Sequence, residues 1–570
     1  MKYLVVIIFL GFIIGCKKEA GVQEDITARP QIMCAPPLTD ADWYKTGKTA
    51  PLLEGMDMLN YPITTKKPEA QKYFNQGLLL SYAFNHAEAA RSFFEATRID
   101  PACAMCYWGY AYVLGPNYNA GMEPDNYPRA YDAIQQAIKL SGKATPKEKA
   151  LIKAMSTRYA KDPAQYRRSL DSAYMVALKE VHNQFPTDVD IAAMYAESLM
   201  DLHPWDLYDH SGNPKPWTPA IVKAIESAIS INPKHPGGHH FYIHAMEASN
   251  SPGKALASCK LFDEGLVPKA GHLVHMPSHI YIHTGDYHKG TLANIKAAEL
   301  DSNYITQCHA QGAYPVTYYP HNYHFLAGCA TLEGNSIWAI KAALMMADQT
   351  NTKAMFNHNL LGLQHMNSIP DFIRVKFGKW NDILKQGAPD KTLVYPMGIY
   401  HYARGMAYIG INDLKNAKTE LDALKNIAAI DSLKKIKIWG FNSMFQILDI
   451  AQKTLEGNLL AKQGKYDESI RLLRDAITRE DLLLYQEPPD WFFSVRHYLG
   501  AVLLDANKPE DAIAVYTMDL KYYPKNGWAL NGLKLAYEAS NQMDKAKETE
   551  VLFKEAWQYS DVELKGSVVK

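Results

Sequence analysis

The sequence has 570 residues, of which 60 are basic and 60 acidic, so its formal net charge at pH 7 is zero. That balance leaves no global field to collect nucleic acid or an anionic membrane surface, and both function classes are set aside. The length exceeds what a single compact core supports, so the chain reads as several domains or an array.

At the N-terminus, Met1-Lys2 is followed by an apolar run from Tyr3 to Ile14 that stops at Gly15-Cys16. This is the shape of a secretory signal, and it is too short for a permanent membrane-spanning helix. Ile13-Ile14-Gly15-Cys16 resembles the lipobox of bacterial lipoproteins. The resemblance implies that residues 1–15 are a removed signal peptide and that Cys16 is lipidated; an ordinary signal peptide with an incidental cysteine is the alternative. Two or three acyl chains anchor a protein stably where one is marginal. Residues 16–40, rich in Lys, Glu, Gln and Pro, read as the lipidated tether, and Lys17 points to the outer membrane by resemblance to enterobacterial sorting. The expected location is therefore the cell envelope, with the membrane engaged through lipid alone. Cys34, Cys103, Cys106, Cys259, Cys308 and Cys329 can pair in an exported protein, with connectivity open.

The body of the chain repeats with a period of about 34 residues, which is sought first in a chain of this length. With Ala70 as position 1, Tyr73 falls at position 4, Gly77 at 8, Leu80 at 11, Ala89 at 20, Phe93 at 24, Ala96 at 27 and Pro101 at 32. Gly and Ala let two antiparallel helices approach, bulky apolar residues fill the gaps, and proline ends the second helix. Residues 70–103 resemble the tetratricopeptide (TPR) consensus. Gly405, Ala417, Leu421 and Leu424 fit the same frame, as do Gly457, Ser469, Leu473 and Ala476, and Gly500, Ala512, Tyr516 and Pro524. The chain is therefore similar to the TPR-repeat lipoproteins of bacteria, which implies an all-α, right-handed superhelix of helix hairpins. Residues 41–390 are read as an N-terminal and central TPR-like superhelix with a His-rich concave face, and 391–570 as a C-terminal TPR superhelix.

Taken in order, the departures from this frame begin with Cys103-Ala-Met-Cys106, which has redox or metal-ligand spacing at a helix start. No βαβ pattern surrounds it and no His follows, so a disulfide or two buried thiols is the expectation. Two insertions rich in proline, glycine and aromatic residues follow, at 115–128 and between Asp201 and Thr218; loops of this kind either carry function or pack on neighbouring helices.

Twelve of the chain's 20 histidines then fall within residues 235–324. His240 and His244 recur as His275 and His279 after 35 residues. The i, i+4 spacing puts both members of each pair on one helix face. In the repeat frame His240, His244 and Glu247 take positions 5, 9 and 12; His272, His275, His279 and His283 take 2, 5, 9 and 13; His321 and His324 take 2 and 5. The TPR resemblance implies that these positions line the concave groove. Neighbouring first helices stand about 10 Å apart, close enough for imidazoles to share one ion. Zinc, copper, iron and nickel accept neutral imidazole nitrogen. The candidate metal ligands are His240, His244, His275, His279 and His324, with His272, His283, His321 and Glu197 secondary and Glu247 either completing the shell or acting as a base. His235, His288 and His309 read as surface or satisfied core residues and His239 as packed; Pro277 is expected to start a helix, leaving His275 in its entry turn.

Finally, Gln486-Glu487-Pro488-Pro489-Asp490-Trp491 reads as a turn with an N-cap before a helix over 491–505. Three functions fit these features: a superhelix that binds an envelope protein, peptide or small-molecule ligand beside a transition metal; a metal-dependent hydrolase or oxidoreductase built on that site; and a scaffold for protein–protein interaction without metal.

Overall fold

The computed structural model describes residues 41–162, 166–209, 211–308, 313–350, 353–357 and 360–569. Cys16, the tether, Cys34 and His309 lie outside them. The described residues are all-α: antiparallel helix hairpins follow one another along the chain, and three isolated β-bridges are the only extended pairing among them. Among the described residues, no helix is long and apolar enough to cross a membrane.

The first hairpin shows why the sequence folds this way. Pro68 opens the helix Pro68–Tyr82, where its missing N–H costs nothing, and Asn85 caps the helix His86–Ile99 by accepting from the Glu88 N–H at 3.3 Å. Phe93 is fully buried between Gly77 of its own hairpin and Gly109 of the next helix, Ala104–Val113. A Cβ on Gly77 would lie 2.9 Å from the Phe93 ring, and one on Gly109 would overlap it. Tyr516 is wedged between Gly500 and Gly532 in the same way. The glycine–aromatic–glycine wedge at equal spacing makes these hairpins TPR-like. Gly109→Ala is expected to overpack the wedge at a cost of about 1–3 kcal/mol, read as a lowered midpoint in chemical denaturation.

The apolar interior falls into a large N-terminal cluster running from Ala50 to Tyr281 and a large C-terminal one from Val316 to Ala536. A small cluster around Ile282, Tyr287, Phe325, Cys329 and Leu332 joins them. The histidine block sits along this seam. The solenoid also folds back on itself: the first hairpin reaches both the helix Pro236–Glu247 and the helix Ala313–Glu333. There the Tyr304 hydroxyl donates to Glu88 at 3.1 Å.

Two local expectations change. The helix after Asp490 begins only at Arg496, because Trp491 and Phe492 are drawn into the core and Asp490 accepts from the Asn442 amide at 2.8 Å. The concave face of the central repeats is not an open groove; the first hairpin and both insertions fill it.

Candidate metal centre

Four helices supply the site: Pro236–Glu247, Gly271–His275, Pro277–Thr284 and Ala313–Glu333. Pro277 does begin a helix, and the short helix before it ends on His275. The break at Met276 leaves His275 facing His279 all the same. Successive rings stand close: His240 to His244 4.9 Å, His244 to His279 5.3 Å, His279 to His275 4.8 Å, His275 to His272 5.6 Å and His272 to His240 5.0 Å between centroids. His321 caps this circuit, 5.0 Å from His275 and 5.6 Å from His279. The five rings of the circuit are each no more than 1% exposed.

Their walls are aromatic. Phe84 lies 4.4 Å from His240, Tyr318 5.0 Å from His272, and Phe325 4.3 Å from His279. The two insertions contribute Tyr118 and Trp205, which stack on each other and stand 5.3 and 5.8 Å from His244. Packing against the site is thus what both loops do.

Hydrogen-bond partners assign the imidazole protons. A carbonyl or carboxylate oxygen can only accept, so the nitrogen facing it carries hydrogen. His240 Nδ1 donates to the Tyr82 carbonyl at 2.6 Å; Gly237 lets the Tyr82 ring approach, since a Cβ there would lie 2.7 Å from it. His244 Nδ1 donates to Glu247 Oε1 at 2.9 Å, and His279 Nδ1 donates to Glu247 Oε2. His275 Nδ1 donates to Asn294 Oδ1 at 2.7 Å, an orientation fixed by the Asn294 amide donating to the Gly290 carbonyl. In the neutral rings every Nε2 is then a bare lone pair. His240 Nε2, His244 Nε2 and both nitrogens of His272 are buried without a partner, and His275 Nε2 faces His279 Nε2 at 2.9 Å. Two lone pairs at that distance repel unless a proton or a cation lies between them. Burial, reinforced by neighbouring imidazoles, pushes His240, His272, His275, His279 and His321 well below the usual histidine range, which disfavours the proton.

Three groups among the described residues could hold a metal ion: His240 with His244 and His272; His275 with His279 and His321; and His244 with Glu247 and His279. Within each, the ligand atoms lie within 4.8 Å of one another. A cavity of about 170 Å³, lined in part by Lys269, Asp301 and Tyr304, reaches His272 from outside.

Not every expected residue arrives. Glu197 is held by the Tyr112 hydroxyl one hairpin away, and its buried carboxyl is pushed up to about 7. His283 pairs with Glu487 at 2.7 Å. His324 turns away from the cluster: its ring stacks on Phe492, in the segment before Arg496, and stands 6.3 Å from His365. His235 and His239 are satisfied core residues: His235 Nδ1 accepts from the Gly238 N–H, and His239 bonds Ser258 and the Pro233 carbonyl. Cys103 caps its helix, with its sulfur 2.7 Å from that of Cys106 and both buried.

No family model matches the chain, and no curated protein matches it in sequence. Compared by structure, solved proteins do match it, at low identity. A human IFIT1 dimer with m7Gppp-AAAA is 13% identical, covering 87% of this chain and 91% of that one at a TM-score of 0.31. The Cut9–Hcn1 hetero-tetramer of the APC/C is 14% identical over 88% of this chain and 79% of that one, at 0.31. Yeast Tom70 is 13% identical over 87% and 93%, at 0.27.

Sequence reading missed Asn294. In the repeat frame it stands at position 24, where Phe93 and Tyr516 form their wedges, and a polar residue there was the available signal. Tyr82 and Phe84, brought in by the solenoid folding back, left no local trace.

Proposed function

We propose that this chain is an envelope-anchored TPR-like scaffold whose central repeats bind a transition metal through the Nε2 atoms of the histidine cluster. The observation that carries the reading is a shared orientation: four imidazoles point Nδ1 at fixed oxygen acceptors, which leaves their Nε2 lone pairs bare in a buried space. Metal-ligating histidines are oriented in this way by a carboxylate or carbonyl behind them. Zinc, copper and iron all suit such a donor set. Glu247, with both oxygens taken by imidazoles, holds ligands in place rather than moving protons. The cavity that reaches His272 gives a small-molecule ligand a path to the site, and the outer surface of the solenoid remains for a protein partner. Lipidation of Cys16 supplies the anchor, and a Cys16→Ser variant should leave the membrane fraction.

The test is elemental analysis of full-length protein purified without a polyhistidine tag. Near-stoichiometric metal that disappears in the His240→Ala, His275→Ala double variant supports the site. Folded wild-type protein that stays metal-free after exposure to zinc, copper and iron rules it out. Asn294→Leu, which restores an apolar residue at position 24, should keep the fold but weaken metal binding about 10–100-fold, as measured by competition with a chromophoric chelator.

A further inference from the structure

Resting on that reading, we propose that the cluster holds two ions side by side, one on His240, His244 and His272 and one on His275, His279 and His321, and that both are monovalent copper.

The donor atoms divide into these two all-imidazole triads, each closed within 4.8 Å. The third combination, through Glu247, consists of the Nδ1 hydrogen bonds already described and turns away from the bare Nε2 atoms. Glu247 spans the triads by orienting one member of each, His244 and His279, so a single carboxylate fixes both halves. An ion about 2.0 Å from His275 Nε2 and His279 Nε2 in a trigonal shell would part them to roughly 3.5 Å, an opening of about 0.6 Å from the 2.9 Å observed.

Charge selects the ion. Five of the six triad histidines are buried and His321 is half-buried, with Phe84, Tyr118, Trp205, Tyr318 and Phe325 around them, and Glu247 is the carboxylate hydrogen-bonded to them. Two divalent ions would set four positive charges against that one negative charge in a low-dielectric space, where unpaired charge is costly. Two monovalent ions leave an excess of one. Of the metals that accept imidazole nitrogen, copper is the one with a common monovalent state.

Metal-free full-length protein should be titrated anaerobically with monovalent copper as its acetonitrile complex, with copper counted per folded chain and its state read from the X-ray absorption edge. Two copper ions per chain, with a nitrogen-only shell, are expected. His272→Gln and His321→Gln should each retain one, and the two together none. His272 makes no hydrogen bond through either nitrogen, so its replacement leaves the fold intact. One ion in the wild type, lost in both single variants, would overturn the pairing while leaving metal binding in place. Zinc displacing copper in direct competition would overturn the choice of ion. No metal at all would remove the underlying reading with it.

Discussion

Glu247→Ala is expected to weaken metal binding about 10–100-fold and to destabilise the metal-free protein by roughly 2–6 kcal/mol. Both oxygens of this buried carboxylate accept an imidazole N–H, one from His244 and one from His279. Removing it leaves two buried donors with no acceptor, each costing about 1–3 kcal/mol. The rings can escape that cost only by moving their hydrogens to Nε2, which removes the lone pairs that face the cluster. Either outcome lowers affinity. Glu247→Gln keeps one acceptor oxygen and should fall between alanine and wild type. The measurements are chelator competition for affinity and urea denaturation of the metal-free chain for stability. Unchanged affinity in Glu247→Ala would show that the Nδ1 bonds do not orient the ligands.

Glu247 also shows how far the sequence carries. Its place three residues after His244 is enough to put it on the same helix face, and the 35-residue recurrence of the histidine pair is enough to bring two repeats together. Local spacing does not say which way a carboxylate turns once neighbouring helices arrive. His321 and His324 make the same point: only three residues apart on one helix, they diverge, His321 toward His275 and His324 toward Phe492 and His365. The first hairpin's return to the central repeats is a long-range event, with Tyr82 bonding a residue 158 positions away. No periodicity of 34 residues encodes that closure, and it is what turns an expected open groove into a buried chamber. The hairpins themselves were legible because each wedge is built from residues of adjacent repeats, as at Gly77, Phe93 and Gly109.

Two histidines outside the cluster, His86 and His365, should add to the acid sensitivity that the buried cluster histidines already confer. Burial, with Arg158 nearby, holds His86 down to about 3, and burial alone does the same to His365. In the unfolded chain both titrate near 6.5. The folded form therefore binds fewer protons than the unfolded form between about pH 6.5 and 3, and stability falls as pH falls through that window. Each group contributes about 1.4 kcal/mol per pH unit, so the two together remove roughly 5 kcal/mol by pH 4.5. Above pH 7 neither contributes any slope. Glutamine cannot take up the proton, so His86→Gln and His365→Gln should each flatten the dependence of unfolding free energy on pH, whatever they do to stability at pH 7. Denaturation curves at pH 7.5, 6.0 and 5.0 on metal-free protein give the comparison. Variant and wild-type profiles that run parallel would mean that these imidazoles accept protons in the folded chain as readily as in water. A common offset at every pH would reflect lost packing and would leave the linkage unsupported.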